Sequence, residues 1–211
     1  MKNCCIVFDV DGTLFDTKNG IIKTLNYVLK EFGKDAIDPQ DEDKYIGPPI
    51  KKSLMKYQCM EDMEADEATI LYRRNYVECF VHESVMYDGV IETLEALKNQ
   101  NVILGIATMK TMPQLEALLI DYKCSEFFSV LKAAKEDGSL SKTQMLKDIK
   151  EIYPMVKYFL MIGDTRGDYQ AAKEAGYCFV AADYGYGEIK DLNAVHISKI
   201  TDLLDKVCLL Y

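Results

Sequence analysis

Five short apolar runs, at 4–10, 102–108, 127–131, 158–162 and 178–182, alternate with stretches of helical period, and this restricts the fold more than any other feature. Each run is almost continuously apolar, the pattern of a strand covered on both faces. Helices are expected after Asp88-Gly89 (Ile91, Leu94, Leu97), over 112–122, 141–152 and 167–175, and over 202–210; Gly176 is a natural terminator for the fourth. Strands and helices in this order predict an α/β fold, a parallel sheet with helices on both faces.

One segment breaks the alternation. Ile21, Ile22, Leu25, Val28, Leu29 and Phe32 recur at helical spacing, and Gly33 can end that helix. Loops follow at Asp38-Pro39 and Gly47-Pro48-Pro49, then a helix from Ile50 and another over 64–80. The reading is a core formed by 1–16 and 86–211, interrupted by an all-helical domain at 17–85.

The 211 residues carry a formal charge of −9. That argues against a nucleic acid polymer as partner, since phosphate backbones are bound through excess Lys and Arg. A small phosphate ester needs only one or two local cations. The 7 cysteines form no CxxC pair, so neither a disulfide framework nor a zinc site is expected, and reduced thiols suit the cytoplasm. The N-terminal apolar run is too short for a signal peptide, and no stretch is long enough to cross a membrane. A soluble, cytoplasmic monomer or dimer is expected.

Ligands of open parallel sheets bind at the carboxyl ends of the strands. The first run ends at Asp9 and Asp11, the second at Thr108 with Lys110 close behind, and the fourth at Asp164 with Asp168 one helical turn on. If these strands are neighbours, the carboxylates converge and raise one another's pKa unless a cation compensates. Magnesium suits a few carboxylates joined by waters and a substrate phosphate. Taken singly, each residue has another reading. Asp-Gly is common turn chemistry, Asp164 after Gly163 can cap a helix, and Lys142 near a helix start can be a solvated cation. Order and spacing carry the argument.

With those residues in place, the chain resembles the haloacid dehalogenase superfamily phosphatases, in the phosphoglycolate phosphatase-like branch with a helical cap. Asp9-Val10-Asp11-Gly12-Thr13-Leu14-Phe15-Asp16 matches the first motif and Ile106-Ala107-Thr108 the second. Lys142 matches the third, and Gly163-Asp164-Thr165-Arg166-Gly167-Asp168 the fourth. The resemblance implies a Rossmann-like core, an inserted helical cap and a magnesium-dependent phosphatase acting on a small phosphorylated metabolite. Asp9 would be the nucleophile and Asp11 the acid and base. Magnesium would be held by Asp9, the Asp11 carbonyl and Asp164, with Asp168 direct or one step removed. Thr108, Lys142 and backbone N–H groups at Met109 and Gly12 would bind the phosphoryl oxygens.

Two positions depart from the family pattern. Met109 stands where Asn or Ser is frequent, and Thr143 rather than Pro follows Lys142, which leaves Lys135 as a competitor for the third motif. Gly47, Pro48 and Lys51 in the cap loop, with Lys110 from the core, are candidate substrate contacts; for the prolines a plain helix start is the other reading. The loop Tyr184-Gly185-Tyr186-Gly187 reads equally as the rim of an active site or a surface turn. A β-phosphoglucomutase-like phosphomutase would share every core residue, and a non-catalytic binding member of the same fold is a further alternative.

Overall fold

A computed structural model describes residues 3–207. Cys208 and the end of the helix expected over 202–210 lie outside the described residues. Six strands form one sheet: β1 (Cys4–Phe8), β4 (Ile103–Thr111), β5 (Val130–Ala134), β6 (Tyr158–Gly163), β7 (Cys178–Ala182) and β8 (Val195–Ile197). Their order is β5-β4-β1-β6-β7-β8, and every pairing is parallel. The chain steps outward from β1 through β4 to β5, then returns to the other side of β1 and steps outward again. The order therefore reverses between β1 and β6, where open α/β sheets form their binding crevice.

The continuous apolar character of β1 follows from its place. Cys4, Ile6 and Phe8 enter the larger hydrophobic cluster on one face, and Cys5 and Val7 enter the smaller one on the other. Burial pushes the Cys5 thiol up to about 12, so it acts as a small apolar group. No disulfide joins the described cysteines. Cys4, Cys5 and Cys124 are buried, while Cys59, Cys79 and Cys178 are exposed. The covering helices are α4 (Val90–Asn99), α5 (Met112–Asp121), α6 (Lys142–Ile152), α7 (Arg166–Ala175) and the short α8 (Leu203–Val207). Gly176 ends α7 in the left-handed conformation expected of it, at φ +68.

Between β1 and α4 lies the helical block. It contains α1 (Lys18–Glu31), α2 (Ile50–Tyr57) and α3 (Asp62–Asn75), followed by a π-helical turn at Tyr76–Phe80. Its two connections to the sheet pair with each other: β2 (Phe15–Asp16) runs antiparallel to β3 (Val85–Met86). This two-residue ladder was not expected, because strands so short leave no periodicity to read.

The structure also moves two boundaries. β4 continues past Thr108 to Thr111, with an irregular register against β5 between those two residues. The run expected at 127–131 forms β5 three residues later, after a 3-10 turn at Ser125–Phe127. No helix among the described residues is long and apolar enough to cross a membrane.

Candidate active site

Asp9 follows β1 directly, and its N–H donates to the Ile162 carbonyl of β6 at 2.9 Å. Asp164 follows β6. The two carboxylates therefore flank the point where strand order reverses. Asp168 joins them from the first turn of α7. Oxygens of Asp9, Asp164 and Asp168 all lie within 4.8 Å of one another, and all three residues are buried.

Local structure explains each placement. Thr165 caps α7: its Oγ1 accepts from Asp168 N–H at 3.1 Å, and Asp168 Oδ2 accepts from Thr165 N–H at 3.0 Å. This reciprocal cap turns Asp168 Oδ1 towards Lys142, whose Nζ lies 2.5 Å away. Lys142 is the first residue of α6, whose N-cap Ser141 accepts from Gln144 N–H. The same Nζ lies 2.9 Å from Asp9 Oδ1, so one ammonium bridges nucleophile candidate and cap. Lys135 is exposed in the preceding loop and takes no part.

The electrostatics are those of a buried acidic cluster that one ammonium compensates only in part. Burial, reinforced by Asp168 and Asp11, pushes Asp9 up to about 7 despite the Lys142 ammonium. Burial, then Asp168 and Asp9, raise Asp164 well above the usual carboxylate range. Burial acts to lower Lys142, but Asp168 and Asp9 outweigh it and hold the ammonium above its ordinary range. Asp164 Oδ2 accepts from Tyr186 N–H at 2.8 Å, whereas Oδ1 is buried with no hydrogen-bond partner. A buried carboxylate oxygen with no donor, on a residue clustered with two more buried carboxylates, fits a hard divalent cation with oxygen ligands. Asp9 and Asp164 are the side chains best disposed to hold one, since both Asp168 oxygens are already engaged.

Asp11 stands apart from this cluster. Its Oδ1 is held by Lys110 Nζ at 2.9 Å and Thr17 Oγ1 at 2.5 Å. Lys110 is buried; its Nζ lies 3.1 Å from Tyr76 Oη and 4.2 Å from the centre of that ring. Burial opposes its charge, but Asp11 and the tyrosines hold the ammonium above its usual range. Lys110 is thus committed to Asp11 and Tyr76, and would meet a substrate only beside that pair.

Asp9, Asp11, Lys142 and Asp168 line a cleft of about 520 Å³ together with Gly47 and Pro48 of the helical block. Met109 lines it too. Gly47 adopts φ +94, and a Cβ added there would lie 3.4 Å from Thr165 Cγ2 across the cleft mouth. A side pocket of about 50 Å³ leads from Asp11 to Tyr45, Tyr72, Lys110 and Gln114.

Three expected contacts are not brought to the cleft. Lys51 Nζ pairs with Asp62 at 2.9 Å and Asp66 at 2.7 Å within the helical block, because α3 presents both carboxylates one turn apart. Thr108 is fully buried, and its Oγ1 accepts from Lys110 N–H at 3.2 Å. Gly12 N–H already donates to the Phe15 carbonyl at 2.8 Å, so it is not a free phosphate donor. Gly12 has another reason to be glycine: φ is +72, and a Cβ would lie 2.1 Å from Asp164 Oδ2. The role of Thr165 was missed, although Thr165-x-x-Asp168 is a capping pattern visible in the sequence. The approach of Gly185 and Gly187 to Asp164 leaves no such signal.

The family described as haloacid dehalogenase-like hydrolase matches residues 6–182. A 5'-nucleotidase of Pseudomonas aeruginosa is 28% identical over 191 residues, 90% of this chain and 86% of that one. A phosphoglycolate phosphatase of Aquifex aeolicus is 30% identical over 206 residues, 95% of this chain and 96% of its own length. Among solved structures, a predicted phosphatase from Clostridium acetobutylicum superposes with a TM-score of 0.90 at 28% identity, covering 100% of both chains.

Proposed function

The chain belongs to the haloacid dehalogenase-like hydrolase family, and from that premise we propose that it is a magnesium-dependent phosphatase of small phosphomonoesters, acting through an aspartyl-phosphate on Asp9. The observation that carries this reading is the unpartnered, buried Asp164 Oδ1 beside Asp9 at the reversal of strand order. The relatives named phosphatase and 5'-nucleotidase support the same class of substrate.

Asp9, Asp164 and the Asp11 carbonyl would hold the cation, which when bound offsets the charge of carboxylate and phosphate so that two anions can meet. An Asp9 oxygen attacks phosphorus while the ester P–O bond breaks, and Asp11 gives its proton to the departing alkoxide. Asp11 then takes a proton from water as that oxygen attacks phosphorus. The bond to Asp9 breaks, and inorganic phosphate and the free carboxylate are restored. Lys142 keeps Asp9 in one orientation and meets the phosphoryl oxygens. Lys110 and Thr17 aim Asp11 into the cleft. Residues 17–85 act as a cap whose Gly47-Pro48 loop closes the cleft and shields the phosphoryl group from water.

Phosphate release from a panel of phosphomonoesters, with and without magnesium, tests the reading. Turnover that requires magnesium and vanishes in Asp9→Asn is expected; no turnover of any ester with magnesium overturns it. Release of free phosphate rather than an isomer separates a phosphatase from a phosphomutase.

A further inference from the structure

The loop that follows β7 grips the acidic cluster and the start of the helical block at once. Its backbone reaches the cluster through Tyr186 N–H, 2.8 Å from Asp164 Oδ2. Its side chain reaches the block: Tyr186 Oη accepts from Thr17 N–H at 2.7 Å and Lys18 N–H at 3.0 Å, and donates to Asp16 Oδ1 at 2.6 Å. A phenol hydroxyl both donates and accepts, so this one group serves all three partners. Helix α1 needs it. The Thr17 side chain makes no capping bond and its hydroxyl donates to Asp11, so the local acceptor at this helix start is Asp16 Oδ1, 3.2 Å from Lys18 N–H. A tyrosine 168 residues beyond Lys18 supplies a second acceptor there, and the same oxygen accepts from Thr17 N–H.

The other connection is gripped as well. Tyr184 Oη donates to the Thr13 carbonyl at 2.9 Å, and its ring meets Tyr87 edge-on at 5.0 Å, just past β3. The two glycines of the loop allow the approach. A Cβ on Gly185 would lie 2.3 Å from Asp164 Cβ, and one on Gly187 would lie 2.0 Å from the Asp164 carbonyl oxygen.

We infer that Tyr186 is a positioning residue that ties the start of the helical block to the orientation of Asp164, so that cation binding and the seating of the block reinforce each other. The inference rests on the reading of Asp164 as a magnesium ligand. Because Tyr186 N–H occupies Oδ2, Oδ1 is the oxygen left without a hydrogen-bond partner and so the one free for a cation. Removing the hydroxyl strips the acceptor from Thr17 N–H, leaves Lys18 N–H with Asp16 Oδ1 alone, and takes the donor from Asp16. The loop then loses its hold on the block, and its N–H no longer fixes Asp164 as firmly.

The test uses the full chain, magnesium alone and no substrate. Calorimetric titration of Tyr186→Phe should show a dissociation constant raised about threefold or more, below the roughly 10–100-fold typical when a direct partner of a ligand is removed. Hydrogen exchange at Thr17 and Lys18, slowed by magnesium in the parent, should become insensitive to it. A tyrosine with a purely structural role would lower the melting temperature and leave magnesium affinity alone. Affinity within twofold of the parent, or exchange that magnesium still slows, overturns the inference. Should Tyr186→Phe not fold, Asp16→Ala takes its place, since Asp16 is exposed and only accepts from the hydroxyl and Lys18 N–H; it should shift affinity the same way, and parental affinity again overturns the inference. A parent protein that binds no magnesium sinks the magnesium reading itself and this inference with it.

Discussion

Replacing Gly187 with alanine adds a single methyl group beside the acidic cluster. That carbon would lie 2.0 Å from the Asp164 carbonyl oxygen and 3.1 Å from both the Asp164 carbonyl carbon and Thr165 Cα. All three are backbone atoms at the junction of β6 and α7, with no flexible side chain to swing aside. Relieving the contact requires the loop or the strand end to move by about 1 Å, since nonbonded carbon and oxygen do not approach closer than about 3 Å. Overpacking of this kind costs about 1–3 kcal/mol, which for a chain of this size lowers the melting temperature by roughly 2–12 °C. Because Asp164 sits at the moved junction, magnesium affinity falls too, and a displacement of about 1 Å at a reacting centre can cost roughly 100-fold in rate. Gly167→Ala is the contrast. Its Cβ would meet nothing closer than Thr165 Oγ1 at 3.5 Å, and it lies in α7, where alanine gains up to about 1 kcal/mol of helix propensity. In scanning calorimetry the two variants should therefore move in opposite directions, and in magnesium titration only Gly187→Ala should lose affinity. Parental stability and magnesium affinity in Gly187→Ala would refute the close approach of this loop to Asp164.

Two further outcomes concern charge. Lys142→Met leaves two buried carboxylates without their shared ammonium and should cost roughly 3–5 kcal/mol in urea unfolding without metal, less at about pH 5 than at about pH 8 because protonation relieves the repulsion. Equal stability of variant and parent at both pH values would show that this ammonium does not hold the pair. Asp9 titrates near 7 in the folded chain and near 3.8 when unfolded, so the protonated form favours folding. Its contribution is fully present below the unfolded value and is lost as pH rises through the folded one. Without magnesium the melting temperature should fall more between about pH 5 and pH 8 in the parent than in Asp9→Asn; identical profiles would refute the shift.

The legibility of the site followed the range of the interactions involved. Asp9, Asp164 and Asp168 were readable because a strand that ends in Asp-x-Asp-Gly or Gly-Asp displays its chemistry within a few residues. Lys142 was readable because it opens a helix of clear period. Lys51 was misplaced because a lysine's partners lie wherever a neighbouring helix presents carboxylates, here Asp62 and Asp66. Thr108 was placed at a strand end that lies at Thr111 instead, since an apolar run marks a strand's interior better than its last hydrogen bond.

By itself the sequence determined the parallel α/β core, the helical interruption and the identity of the convergent carboxylates. These depend on periodicity and on residues adjacent to strand ends, which are local properties of the chain. Only the tertiary structure decided which lysine answers which carboxylate: Lys142 bridges Asp9 and Asp168, while Lys110 holds Asp11. It also resolved the tyrosine-glycine loop from an ambiguous turn into the contact that orients Asp164 and caps α1. Those pairings span tens to more than a hundred residues. They arise from close approach in space, which leaves no periodic trace along the chain.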